Sequence, residues 1–153
     1  LDIGCGPSAR PLYLQGYPAD CVSAIEPIQL QVKPDFEVVR GFAEFLPWPK
    51  ASFHTVIAST SLDHMLSLPK ALAEIERVLT PDGRFLVWIG SVPGAAQPPG
   101  NGQPIAPLDE YHLFHIDSAW FEPMMAEMFI TEERQEFDAG SFSHVFYRFD
   151  KKP

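Results

Sequence analysis

The sequence predicts an α/β fold, a doubly wound and mostly parallel sheet finished by an antiparallel pair of strands. Three observations point to it. Short apolar runs alternate with helical patterns along most of the chain. The first run ends in a turn with two glycines, Leu1-Asp2-Ile3-Gly4-Cys5-Gly6, and the last two runs are separated by the short hairpin signal Asp138-Ala139-Gly140-Ser141.

Taken in order, parallel strands are expected near 1–4, 21–26, 36–40, 54–59 and 84–90, with helices filling the gaps. Pro7 and Ser8 suit the first positions of a helix after the glycine turn. The clearest helix spans 68–79, where Leu68, Leu72, Ile75 and Leu79 repeat at helical spacing, and Thr80-Pro81-Asp82-Gly83 ends it in a turn. From 91 to 107 prolines and glycines crowd the sequence. This reads as a loop on the ligand side of the sheet, serving either as a lid or as a plain connection. A helix over 117–128, capped by Asp117 or Ser118, precedes strands at 129–137 and 142–149.

The chain of 153 residues has the length of one domain, and 46% apolar content suffices for a core. With 11 basic against 20 acidic residues its net charge is −9, which repels phosphate backbones and anionic membranes, so neither nucleic acid nor membrane is an expected partner. With no charged leader followed by an apolar core and no run of eighteen apolar residues in this sequence, neither secretion nor membrane spanning is expected. Cys5 and Cys21 make no disulfide framework, and a reducing cytoplasm is the expected compartment. Oligomeric state leaves no trace in the sequence.

The glycine turn carries the functional reading. A nucleotide laid over the carboxyl ends of parallel strands needs a turn free of side chains, which Gly4 and Gly6 provide. Twenty residues after Gly6, at the end of the second apolar run, Glu26 has the spacing of an acid that binds ribose hydroxyls. Gly4-Cys5-Gly6-Pro7-Ser8-Ala9 also satisfies a loose dinucleotide-binding pattern, so a nicotinamide-dependent oxidoreductase is an alternative. Asp2, a charge on a strand that should be apolar throughout, needs a hydrogen-bonding or cationic partner.

Leu1-Asp2-Ile3-Gly4-Cys5-Gly6 resembles the first motif of the class I S-adenosylmethionine-dependent methyltransferases. The resemblance continues in order through Gly41-Phe42-Ala43-Glu44-Phe45-Leu46-Pro47-Trp48-Pro49, Ser52-Phe53-His54-Thr55-Val56-Ile57, Ser61-Leu62-Asp63-His64-Met65, and residues 71–87. It implies a Rossmann-like, seven-stranded methyltransferase fold. It also implies S-adenosyl-L-methionine as cofactor and methyl transfer to a small-molecule acceptor at oxygen, nitrogen or carbon.

The cofactor site so implied comprises Asp2 near the amino-acid end, Gly4, Cys5 and Gly6 in the turn, Glu26 and Pro27 at the ribose, Phe42, Ala43 and Glu44 at the base, and Ser59 at the end of the fourth strand. Phe42 stands where the family often has an Asp that meets the adenine amino group, which leaves that bond to the Ala43 backbone, to Glu44 or to a stacked aromatic; Phe42 reads equally well as a core residue. His54 stands where the family commonly has Asp at the start of a strand, and is read as a structural tolerance.

His64, just beyond the fourth strand, is the candidate for orienting or deprotonating the acceptor; the rival reading has it capping a helix or packing under a loop. Methyl transfer needs alignment and exclusion of water more than a nucleophile. Asp109, Tyr111, His112 and His115 form a polar cluster in which the two histidines would share a face of a helical turn. Lacking a CxxC or HExxH pattern, they are read as substrate contact or polar surface, with no metal site expected. The three tryptophans are expected in the core. The chain opens within a strand, with Leu rather than Met, and so is expected to lack the family's upstream helix. Phe42, His54 and that missing segment also motivate a third reading, an inactive nucleotide-binding or interaction module.

Overall fold

Seven strands form one sheet in the computed structural model of the chain, which describes residues 1–8, 10–99 and 107–153. In chain order they are β1 (Asp2–Ile3), β2 (Ser23–Glu26), β3 (Glu37–Arg40), β4 (Phe53–Ser59), β5 (Leu79–Ser91), β6 (Phe129–Asp138) and β7 (Ser143–Lys151). Across the sheet the order is β3-β2-β1-β4-β5-β7-β6. The first five run parallel, with Asp2 beside Ala24 on one side and Ile57 on the other. β7 is antiparallel to both β5 and β6. Successive strands step outward from β1 to β3, then return to the other side of β1 at β4. That reversal opens a crevice at the carboxyl ends of β1 and β4, where ligands bind in open α/β sheets.

Side-chain alternation explains which face is covered. Val56 and Ala58 of β4, Phe85, Val87 and Ile89 of β5, and Val145, Tyr147 and Phe149 of β7 are buried, while their neighbours along each strand are more exposed. The buried set shares one core with two helices, α1 (Leu68–Val78) and α2 (Ser118–Met125), through Leu68, Leu72, Ile75, Phe121 and Met125. β1 has no alternation because both its residues are buried, as a central parallel strand requires. β6 is exposed beyond Phe129 and carries Glu132, Glu133, Arg134 and Glu136, charges that protect an edge strand from further pairing.

α1 ends one residue before its expected boundary, because Leu79 already pairs with Phe53 as the first residue of β5. The expected turn at 80–83 is absorbed as an irregularity in that strand, since Thr55 pairs next with Arg84. α2 covers 118–125 of the expected 117–128, and Asp117 caps it by accepting the Ala119 N–H at 2.9 Å. The hairpin turn forms as expected, closed by the Ala139 N–H donating to the Phe142 carbonyl.

The helix expected from Pro7 and Ser8 does not form in the described residues. The chain there makes two single 3₁₀ turns, Leu12–Leu14 and Ala19–Cys21. Pro11 and Pro18 bring no N–H, and Gly16 sits at φ +90°, so no α-helical run survives between them. No helix fills the gap between β2 and β3, bracketed by Pro27 and Pro34, and only a 3₁₀ turn, Ala43–Phe45, stands between β3 and β4.

The lid expectation falls partly on residues 100–106, outside the described residues. Residues 92–95 turn back onto α2 instead, where the Gly94 N–H donates to Asp117 Oδ2 at 2.6 Å and the Trp120 indole donates to the Ala95 carbonyl at 2.9 Å. The tryptophans are half-buried rather than fully buried: Trp48 and Trp120 pack against the core, whereas Trp88 lines the cavity described below. Among the described residues, no helix is long and apolar enough to cross a membrane.

Candidate active site

A cavity of about 640 Å³ lies across the carboxyl ends of β1, β2, β3 and β4. Its lining takes residues 3–6, 25–28, 41–44 and 59–61, the segments that leave those four strands, together with Tyr13, His64, Met65, Leu66 and Trp88. The volume lies within the range of small-molecule sites, roughly 300–1,000 Å³.

Gly4 and Gly6 both take positive φ, +75° and +69°, but for different reasons. A Cβ on Gly4 would lie 2.7 Å from the Cβ of Ser61, whose hydroxyl donates to the Ile3 carbonyl at 2.6 Å. Gly4 is therefore needed for the close approach of the loop after β4. A Cβ on Gly6 would meet nothing within 4 Å, so this glycine leaves open space on the cavity side. The Gly6 N–H donates to Glu26 Oε2 at 2.8 Å, and the Ile28 N–H donates to Oε1 at 3.2 Å. Glu26 is only 5% exposed, yet it lines the cavity, and each carboxylate oxygen retains a further lone pair. Around it the apolar side chains of Ile28 and Phe42 are 54% and 51% exposed on the same cavity. An exposed apolar rim, an open glycine turn and a positioned acid are a donor and contact set that fits a nucleoside: apolar surface for the base, acceptors for ribose hydroxyls.

Asp2 is fully buried and does not line this cavity. Its two oxygens accept the Tyr13 hydroxyl at 3.0 and 3.2 Å, and Tyr13 in turn lines the cavity. Burial pushes the Asp2 carboxyl up to about 6, against the Tyr13 hydrogen bond, and burial likewise raises the Tyr13 hydroxyl, which stays a donor. Cys5 lines the cavity but packs with Leu14, Val22, Ala24 and Phe36, and burial pushes its thiol up to about 12, which keeps it unreactive.

Phe42 is exposed and not part of the core. Ala43 and Glu44 also line the cavity, and one oxygen of the buried Glu44 carboxylate is engaged: Oε1 accepts the Ser67 N–H at 2.9 Å, tying this loop to the start of α1. Glu74 and Arg77 continue the tie. Glu74 accepts the Leu46 N–H at 2.9 Å, and Arg77 donates to the carbonyls of Leu46 at 2.9 Å and Trp48 at 2.8 Å. Ser59 lines the cavity at the end of β4, and Thr60 beside it holds φ +53°, a strained conformation for a β-branched residue.

His64 lies at the cavity lip in the 3₁₀ turn Leu62–His64 and stacks on His112, ring centroids 5.5 Å apart. His112 and His115 are brought together, at 5.2 Å, by an irregular loop rather than a helical turn. Asp109 accepts the N–H groups of Tyr111 at 2.7 Å and His112 at 2.8 Å and lies 3.0 Å from His112 Nδ1; the Tyr111 bond first, then the His112 ring, hold its carboxyl down near about 2. Asp63, between His64 and His112, is raised by burial against the pull of both imidazoles. His54 is exposed at the far end of β4 and lies outside the cavity.

The cavity thus gathers Gly4, Cys5, Gly6, Glu26, Pro27, Phe42, Ala43, Glu44, Ser59 and His64, and leaves Asp2 behind Tyr13. Tyr13 and Ile28 are not singled out by the sequence, Ser61 enters there only within its motif, and Trp88 is expected in the core rather than at the cavity. Asp2 was the signal for Tyr13, since a buried acid needs a donor; Ser61 had its counterpart in Gly4.

A family model described as Methyltransferase domain matches residues 1–87. Arginine-hydroxylase NDUFAF5, mitochondrial, of Rattus norvegicus is 36% identical over 95 residues, covering 56% of this chain and 27% of the relative. Uncharacterized methyltransferase YcgJ of Bacillus subtilis is 34% identical over 97 residues, 57% of this chain and 38% of the relative. The matches therefore span well under half of these relatives. In structure, the B. subtilis YcgJ protein superposes with TM-score 0.73 at 15% identity, covering 99% of this chain and 91% of the other. A Burkholderia thailandensis 1,6-didemethyltoxoflavin-N1-methyltransferase, with bound 1,6-didemethyltoxoflavin and S-adenosylhomocysteine, superposes at 0.71 and 15% identity, covering 99% and 71%.

Proposed function

This chain belongs to the methyltransferase-domain family whose model covers its first 87 residues, and from that premise we propose that it is an S-adenosylmethionine-dependent methyltransferase domain acting on a small-molecule acceptor. The observation that carries the reading is Glu26: a buried carboxylate, aligned by the Gly6 and Ile28 N–H groups, facing a cavity at the reversal point of the sheet. The cofactor supplies an electrophilic methyl group on a sulfonium.

The remaining work falls to the chain's own residues. Glu26 accepts the ribose hydroxyls with its free lone pairs. Ile28, Phe42 and Pro27 cover the faces of the base, and Ala43 offers its backbone at the base edge. Gly6 keeps the turn clear, and Cys5 and Ser59 complete the floor. Asp2 acts through Tyr13, whose ring it holds against the cavity wall. His64 stands on the acceptor side. Alignment of acceptor and cofactor in a shielded cavity is worth roughly 7–11 kcal/mol of barrier, which no covalent nucleophile need supplement. Arginine hydroxylation belongs to the name of the rat relative, of which the match spans 27%. The same reading treats the chain as one domain, working in a reducing compartment with its two free thiols.

Incubation with methyl-labelled S-adenosylmethionine and a panel of small hydroxyl, amine and carbon acids tests the proposal. Labelled product from at least one acceptor is expected. Tighter binding of a nicotinamide dinucleotide than of S-adenosylhomocysteine would overturn it.

A further inference from the structure

Beside the cavity lies a group of side chains of which the methyl-transfer reading uses only His64. Asp63 Oδ1 is buried with no hydrogen-bond partner among the described residues. His64 Nε2 lies 3.6 Å from that oxygen and His112 Nε2 lies 3.9 Å from Asp63 Oδ2. These separations are too long for hydrogen bonds. They are somewhat longer than the distance between two ligands of one ion, about 3.3 Å for tetrahedral nitrogen and oxygen donors each about 2.0–2.1 Å from the metal, and each histidine approaches a different Asp63 oxygen, so a small side-chain adjustment would bring both onto one ion. One donor atom from each of Asp63, His64 and His112 falls within 4.8 Å of the others.

The second layer around these three residues has the form a metal site requires. His112 Nδ1 is 3.0 Å from Asp109, whose carboxylate is further fixed by the Tyr111 and His112 N–H groups. In the tautomer that carries its proton on Nδ1 for Asp109, His112 keeps the lone pair of Nε2 free, 3.9 Å from Asp63 Oδ2. This is how a carboxylate sets the tautomer and direction of a metal-binding imidazole. The Leu113 N–H donates to the Asp63 carbonyl at 3.2 Å, pinning the loop of His112 onto the turn that carries Asp63 and His64.

We propose that Asp63, His64 and His112 form a binding site for a divalent transition-metal ion, with Asp109 as the positioning residue of His112. Two nitrogens and one carboxylate oxygen suit Zn²⁺ and its first-row neighbours rather than Mg²⁺ or Ca²⁺. Three protein ligands leave a coordination position open. His64 lines the methyl-donor cavity, so the ion sits at its lip. If the methyl-transfer reading holds, the ion rather than a free imidazole is the group that meets an oxygen-bearing acceptor. The metal site itself does not depend on that reading.

The test is titration of the chelator-treated chain with Zn²⁺ by calorimetry and with Co²⁺ by its visible absorption. One ion per chain is expected, with a Co²⁺ spectrum of low coordination number. His64→Ala, His112→Ala and Asp63→Asn each weaken Zn²⁺ binding by about 100-fold or more, and Asp109→Asn by about 10-fold; His54→Gln leaves it unchanged. Should Asp63→Asn fail to fold, His64→Ala at the cavity lip carries the test. Absence of saturable binding overturns the proposal. So does binding that survives His64→Ala and Asp63→Asn but is lost in His115→Ala, which would place the ion on Asp109, His112 and His115. Neither result bears on S-adenosylhomocysteine affinity, measured separately on the same samples.

Discussion

Gly6 donates its backbone N–H to Glu26 across 2.8 Å, and together with the Gly4 N–H on the Ile25 carbonyl this bond joins the turn after β1 to the end of β2. It makes the acid a structural member of the turn as well as the proposed ribose acceptor. Glu26→Ala therefore removes two charge-assisted acceptors from the Gly6 and Ile28 N–H groups. A stability loss of about 1–3 kcal/mol is expected, read by urea denaturation. Glu26→Gln, which keeps one acceptor oxygen, should lose less.

The two glycines of the turn should separate cleanly. Gly4→Ala adds a Cβ 2.7 Å from Ser61 Cβ at φ +75°, and should cost more than about 2 kcal/mol. Gly6→Ala, at φ +69° in open space, pays the backbone term alone, about 1–2 kcal/mol. Denaturation of both variants checks this; equal losses would contradict the assignment of Gly4 to the Ser61 contact.

Asp2 predicts a pH signature. Its carboxyl is pushed up to about 6 in the folded chain by burial, from an ordinary value of 3.8. Between these values the folded state holds a proton that the unfolded state has released. The contribution of this group is therefore full below about pH 4 and is lost as pH rises through about 6, by up to about 3 kcal/mol. The difference in stability between the native chain and Asp2→Asn, followed by denaturation from pH 4 to 7, should shift in favour of Asn as pH rises. A difference that stays flat would contradict it.

Arg77 clamps the loop carrying Phe42 and Ala43 onto α1. Arg77→Met keeps the apolar stem but removes the donor to the Leu46 and Trp48 carbonyls and leaves Glu74 with the Leu46 N–H alone. Stability should fall by about 2 kcal/mol, with faster amide exchange over residues 43–48 as the local readout.

Much of this architecture was legible in the sequence because strands and turns are written locally. Five parallel strands followed from apolar runs, α1 from its repeat of Leu68, Leu72 and Ile75, and the closing hairpin from Asp138 to Ser141. The missing helices were an error of expectation: Pro7, Pro11, Gly16 and Pro18 crowd the first connection, and their backbone restrictions outweigh a favourable start at Pro7 and Ser8. Glu26 was legible from its spacing to Gly6. Tyr13 under Asp2, Glu44 turned toward Ser67, and His112 against Asp63 were not, because these contacts join side chains from separate segments that no local period relates.

The central claim is that Glu26 holds the ribose of S-adenosylmethionine in the cavity over β1 and β2. Calorimetric titration with S-adenosylhomocysteine of the native chain and of Glu26→Ala, confirmed folded by circular dichroism, tests it most directly. Saturable one-to-one binding by the native chain, weakened at least about 10-fold or about 1.4 kcal/mol in the variant, is the predicted result. Equal affinity in the two, or no binding by a folded native chain, would contradict it.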